Sequence, residues 1–143
     1  MIRKFSPQLE QVEKRDVPSG MISLSGAVSG VLVQIQTNPG YPGYTVVSGQ
    51  GDGVVGPLGQ VHEDLNLYYD NFGGGNSVLG GTVTLSNSQG SITLSVFQQG
   101  DSPLYYSSQS ATGAFAGDYA YGQGYFSGVY GAPGVPVGYT ESF

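Results

Sequence analysis

After Arg15 the chain contains no lysine or arginine: Arg3, Lys4, Lys14 and Arg15 are its only permanent cations. The carboxylates of the body, Asp52, Glu63, Asp64, Asp70, Asp101, Asp118 and Glu141, have His62 as their one available cationic partner. Salt bridges therefore cannot hold this body together, and folding must rest on apolar burial and backbone hydrogen bonds. The same absence removes whole classes of function. Phosphate clamps, nucleic-acid binding, arginine fingers, Schiff-base lysines and Lys-to-Asn isopeptide crosslinks each need a residue the body lacks.

A length of 143 residues fits one domain. With 25 glycines, 11 tyrosines and only 10% charged residues, the composition is far from that of helical proteins and points to a β body rich in turns. Apolar residues arranged in short alternating runs exclude a disordered linker. The formal charge of -6 repels nucleic acid and anionic lipid and suits divalent cations. No apolar run approaches the length of a membrane span. The absence of cysteine excludes disulfides, zinc thiolate sites and thiol catalysis.

Residues 1–20 form an arm distinct from the domain expected over 21–143. Ser6 can cap a short helix with Pro7 at its first position, Leu9 and Val12 share a face, Glu10 and Lys14 are spaced i,i+4, and Pro18 ends it. So short a helix is marginal alone, and an extended arm is the alternative. The run R-K-F-S-P-Q-L-E-Q-V-E-K-R-D-V-P-S-G, through Arg3, Pro7, Leu9, Glu10, Val12, Glu13, Arg15, Val17, Ser19 and Gly20, resembles the LEPR-XLL segment at the start of many exported bacterial surface proteins. The resemblance implies an extracellular or cell-envelope location. A conventional signal peptide would need an apolar stretch that the arm lacks, which keeps a cytoplasmic location open.

From residue 21 onward, strand-like runs alternate with turn signals, the pattern of an all-β antiparallel barrel of about eight strands or of a β-sandwich. Strands are expected over 21–29, 31–37, 44–49, 60–69, 81–86, 91–97, 104–110, 114–121, 124–130 and 137–143. Turns are expected at Asn38-Pro39-Gly40, Tyr41-Pro42-Gly43, Gly51-Asp52-Gly53, Gly73 to Asn76, Asn87 to Gly90, Gly100 to Pro103 and Ala132-Pro133-Gly134. The clearest unit is T-V-T-L-S-N-S-Q-G-S-I-T-L-S-V-F. There Val83, Leu85, Ile92, Leu94 and Val96 share one face, and threonines and serines share the other. This hairpin and the following Thr112, Gly113, Phe115, Gly117 and Gly122 resemble the late strands of the allene oxide cyclase and dirigent barrel superfamily. That resemblance implies an eight-stranded barrel with a ligand-sized interior. The cavity arginines of dirigent enzymes have no counterpart here.

Chemistry is most concentrated in V-H-E-D-L-N-L-Y-Y-D. As a strand it places His62, Asp64, Asn66, Tyr68 and Asp70 on a polar face that any solvated strand would also show. Glu63 falls among Val61, Leu65, Leu67 and Tyr69 on the apolar face. Inside a barrel it would have a raised pKa and could act as a general acid or base; in a loop it would do neither. Asp70, Asn71 and Asn76 surround three glycines, an oxygen-rich loop able to hold calcium; they lack the spacing of an EF-hand loop, and a plain hairpin loop is the first reading of the same residues. Tyrosines crowd the last third of the chain, and Tyr68, Tyr119 and Tyr121 are the candidate ligand-binding rings.

These features lead first to a non-catalytic extracellular or cell-surface β protein, structural or adhesive. It would be a homo-oligomer or matrix component assembling through strand edges and tyrosine-rich faces, or a binder of glycan. Lysine, the usual guard against strand addition, is absent from every strand. The alternative is a small-ligand barrel, an isomerase or cyclase built around Glu63.

Overall fold

The computed structural model of the chain describes residues 20–37, 44–70, 77–98, 103–128 and 132–143. The arm over 1–19 and the expected turns at 38–43 and 73–76 lie outside the described residues. Nine strands follow one another: β1 (Met21–Ile22), β2 (Ser25–Thr37), β3 (Tyr44–Gly56), β4 (Gly59–Asp70), β5 (Ser77–Asn87), β6 (Gly90–Phe97), β7 (Leu104–Gly113), β8 (Tyr119–Gly128) and β9 (Val137–Ser142). From β2 to β9 each strand pairs antiparallel with the next in sequence except that β9 also pairs with β2, which closes the sheet into a barrel-like ring of eight strands. An even number of strands is what lets an all-antiparallel ring close without a mismatched seam. The short β1 adds in parallel to the start of β8, at Tyr119 and Ala120. Among the described residues no helix is long and apolar enough to cross a membrane.

Alternation decides what each strand sends inward. On β4 Val61, Glu63, Leu65, Leu67 and Tyr69 are buried, while Gln60, Asp64, Asn66 and Tyr68 face out. On β6 Ile92, Leu94 and Val96 are buried in the same way. Leu32, Val47, Val83 and Leu104 complete the contiguous core from other strands. Each such side chain contributes about 1.5–3 kcal/mol on leaving water, and this must carry the fold. Among the described residues the ion pairs are those of His62 with Asp52 and Asp64, on the outer surface.

Three local expectations change. The glycines at 30, 51 and 53 lie inside β2 and β3, where a break and a turn were expected; both strands run on for 13 residues, and the chain turns at Pro57 and Leu58. Backbones at these sites approach so closely that a Cβ on Gly30 or Gly53 would meet a neighbouring strand's carbonyl oxygen at 2.0 Å. The expected strand 114–121 begins as a turn over 114–117 that folds Phe115 onto the core. On β5 the phase slips by one residue between Val78 and Gly80; next to it Gly81 has a φ of 153°, and a Cβ there would lie 2.2 Å from the Asn66 carbonyl oxygen. That bulge puts both Val78 and Val83 inside.

Candidate functional site

Two regions carry chemistry, one sealed inside the ring and one spread over its outer wall.

The inner site is built on β4 and β9. Glu63 sits inside because β4 keeps strict alternation across it, and Glu141 sits inside because β9 does the same with Tyr139. Tyr139 faces Gly30, Gly30 faces Gly51, and Gly51 faces Glu63 in successive strand pairs. Three inter-strand steps cover roughly 14 Å of curved wall. Two glycines leave that wall bare, so the tyrosine side chain cuts across it. Its hydroxyl donates to Glu63 Oε1 at 2.6 Å. A Cβ on Gly51 would lie 2.6 Å from that hydroxyl oxygen. Phe126 stacks on the Tyr139 ring with centroids 5.5 Å apart, and the Tyr69 hydroxyl donates to the Gly128 carbonyl at 3.2 Å, binding β4 to β8 nearby.

Glu63 and Glu141 have no exposed surface. As two carboxylates they would leave Glu63 Oε2 and both Glu141 oxygens without a donor. The carboxyl groups lie within hydrogen-bonding reach of each other, so a single proton on Glu141 supplies the missing donor to Glu63. Burial pushes the Glu141 carboxyl well above the usual range, and the Glu63 charge adds to that. Burial also raises Glu63, against the hydrogen bonds from Tyr139 and Glu141 that favour its ionised form. Tyr139 is raised by burial and by the carboxylates it faces, so it stays a hydroxyl and a donor. Chemically the cluster holds a proton. No substrate can touch Glu63 while the ring is closed.

On the outer wall a polar row passes through Thr140, Ser29, Asp52, His62, Ser86, Ser91 and Thr112, one residue per strand from β9 through β2 to β7. The His62 Nδ1 lies 2.9 Å from Asp52 Oδ1, and Asp64 accepts from Gln50 Nε2 at 3.0 Å. His62 is raised chiefly by the bond to Asp52, with Asp64 adding to it and desolvation opposing. Thr84 and Thr93 hydroxyls pair at 3.1 Å, and Ser91 and Thr112 at 2.8 Å. Beside this grid stand exposed rings. Tyr119, Tyr121 and Tyr125 project from alternate positions of β8, with 46%, 55% and 72% of their surface exposed. Phe97 of β6 and its partner Tyr105 of β7 stack with centroids 5.2 Å apart.

Of the residues singled out from sequence, Glu63 is inside, while Tyr68, Tyr119 and Tyr121 are on the outer wall and do not line the interior with it. Asp70 ends β4, and Asn71 and Asn76 lie outside the described residues. Among the described residues no group of three or more His, Cys, Asp and Glu side chains is arranged to hold a metal ion. Sequence reasoning missed Tyr139 and Glu141 as partners of Glu63. The signal was present: in V-G-Y-T-E-S-F, Glu141 falls in phase with Val137, Tyr139 and Phe143, as Glu63 does on β4. No protein-family model, curated protein or solved structure matches this chain.

Proposed function

We propose that this chain is a non-catalytic structural or adhesive β domain of the cell surface or extracellular space, joining copies of itself through the uncharged wall of β6, β7 and β8. The observation that carries the reading is the set of rings left in water on that wall: Phe97, Tyr119, Tyr121 and Tyr125, with Tyr105 stacked beside them. Core packing does not need rings there. Tyrosine brings apolar area and a hydroxyl at low entropic cost, which is why interfaces favour it. The strand positions around these rings carry serine, threonine, glutamine and glycine, so two such faces meet without bringing like charges together.

Ring closure pairs the edges of β2 and β8 through β9, which turns assembly away from strand addition and toward faces. Full burial of Glu63 and Glu141 favours a protein that works from its surface over an isomerase or cyclase. The export reading rests on the N-terminal segment and on the cation-free composition.

Sedimentation velocity over a wide concentration range tests the proposal. Reversible association is expected, weakened at least tenfold by the double substitution Tyr121→Ser and Tyr125→Ser, which alters only exposed side chains. A monomer at every concentration refutes self-assembly. Retention of that monomer on a neutral polysaccharide, lost in the same variant, would move the role to glycan adhesion.

A further inference from the structure

The strand that closes the ring is also its shortest. β9 has six residues, the fewest of any ring strand. It pairs over six positions with β2 and four with β8, against twelve between β2 and β3. Its inward residues include Tyr139 and Glu141, and both meet Glu63 across the interior. Opposite Glu141 on the flanking strands stand Val28 of β2 and Phe126 of β8, which carry no charge. β3 contributes Asp52, and β4 contributes His62 and Asp64, all on the outer face. No cation among the described residues reaches the pair from inside. Two carboxylates cannot both be ionised in such a place, and Glu141 has no other donor.

We propose that β9 is a proton-latched strand: one proton shared by Glu141 and Glu63 keeps it seated, and loss of that proton opens the ring at β9 before the rest of the sheet unfolds. With that proton the pair carries a single negative charge, and Glu63 accepts from both Tyr139 and Glu141. Deprotonated, it sets two negative charges against each other in a buried interior, and the cheapest relief is to carry Glu141 into water with its short strand. Opening frees the backbone groups of β2 and β8, which the closed ring keeps paired. The latch is independent of the aromatic face, since it acts on the opposite surface of the sheet.

The direction with pH follows from linkage. The closed form keeps a proton that the open form releases, so opening becomes tenfold more favourable for each pH unit between the ordinary carboxyl pKa of 4.5 and the raised value in the closed ring. Hydrogen exchange of the full chain, followed strand by strand from about pH 4.5 to about pH 8 and corrected for intrinsic exchange, reads this directly. Below the raised value, protection of residues 137–142 should fall about tenfold per pH unit and stay below that of β5 and β6, which open only with the whole sheet. Glu141→Gln supplies a non-titrating donor to Glu63 and should flatten the dependence of β9 protection on pH. Constant β9 protection in the wild type, β9 protection equal to that of β5 and β6 at every pH, or an undiminished slope in Glu141→Gln overturns the proposal. Should that variant fail to fold, the wild-type comparison of β9 with β5 and β6 decides alone.

Discussion

Replacing Tyr139 by phenylalanine removes one oxygen atom from the interior and leaves the ring, its stacking on Phe126 and the backbone of β9 in place. What disappears is the 2.6 Å donation to Glu63 Oε1. A buried acceptor deprived of its donor costs about 1–3 kcal/mol, toward the upper part of that range when the acceptor is charged. We expect Tyr139→Phe to lose about 2 kcal/mol near neutral pH, and its melting temperature to fall by about 5–10 °C for a chain of this size. The loss should depend on pH with a definite sign. Burial raises the folded-state pKa of Glu63, and the tyrosine bond partly opposes that rise. The folded protein thus holds a proton that the unfolded chain releases above the ordinary carboxyl value, and stability falls as pH rises through that window. Without the tyrosine bond the folded pKa climbs further and the window extends upward. The deficit of the variant should therefore shrink toward about pH 4, where Glu63 is protonated in both states, and be largest at neutral pH. Urea denaturation followed by far-UV circular dichroism at the two pH values measures this. The chain has no tryptophan, so fluorescence would rest on tyrosine. A deficit equal at both pH values, or one under about 0.5 kcal/mol, would refute the claim that Glu63 is a buried acceptor held by Tyr139.

Gly51→Ala places a methyl group 2.6 Å from the Tyr139 hydroxyl, 2.7 Å from the Ser29 carbonyl and 2.9 Å from Val28 Cγ1. Because one of those contacts is backbone, we expect a loss of about 1–3 kcal/mol in thermal or chemical denaturation, and a neutral result would show that the bare wall under the tyrosine is not required. Asp52→Asn removes the chief cause of the raised His62 pKa, so the imidazole should titrate at lower pH by proton NMR. In the wild type, the protonated imidazole adds stability below pH 6.5 that is lost as pH rises through its raised value. This increment is small because the pair is exposed to solvent, so a large stability change in Asp52→Asn would contradict the assignment of the bond to the surface.

Much of this architecture is written in local alternation. The β4 run from Val61 to Tyr69 and the β5–β6 hairpin declare both their strands and their inward faces, and Glu63 stands out as a carboxylate in an apolar phase. Turn chemistry is legible at Asn87 to Gly90 and at Ala132 to Gly134, where the chain turns as expected. Glycine misleads at 30, 51 and 53. The same residue type marks a turn and permits close backbone approach within a strand, and only neighbouring chains distinguish the two. The closing of the ring by β9, which makes the sheet barrel-like, is equally invisible locally, since β9 shows only that one of its faces is buried.

The sequence alone thus settles that the body is β, that it is held without an ion-pair network, and that one carboxylate on β4 points into apolar surroundings. Tertiary structure alone decides that this carboxylate is met by Tyr139 and Glu141, from a strand 76 residues further along the chain. Alternation reports the face a side chain occupies because each strand's period is local. Which side chain it meets depends on how the sheet bends back on itself, and that is fixed by the packing of every strand together.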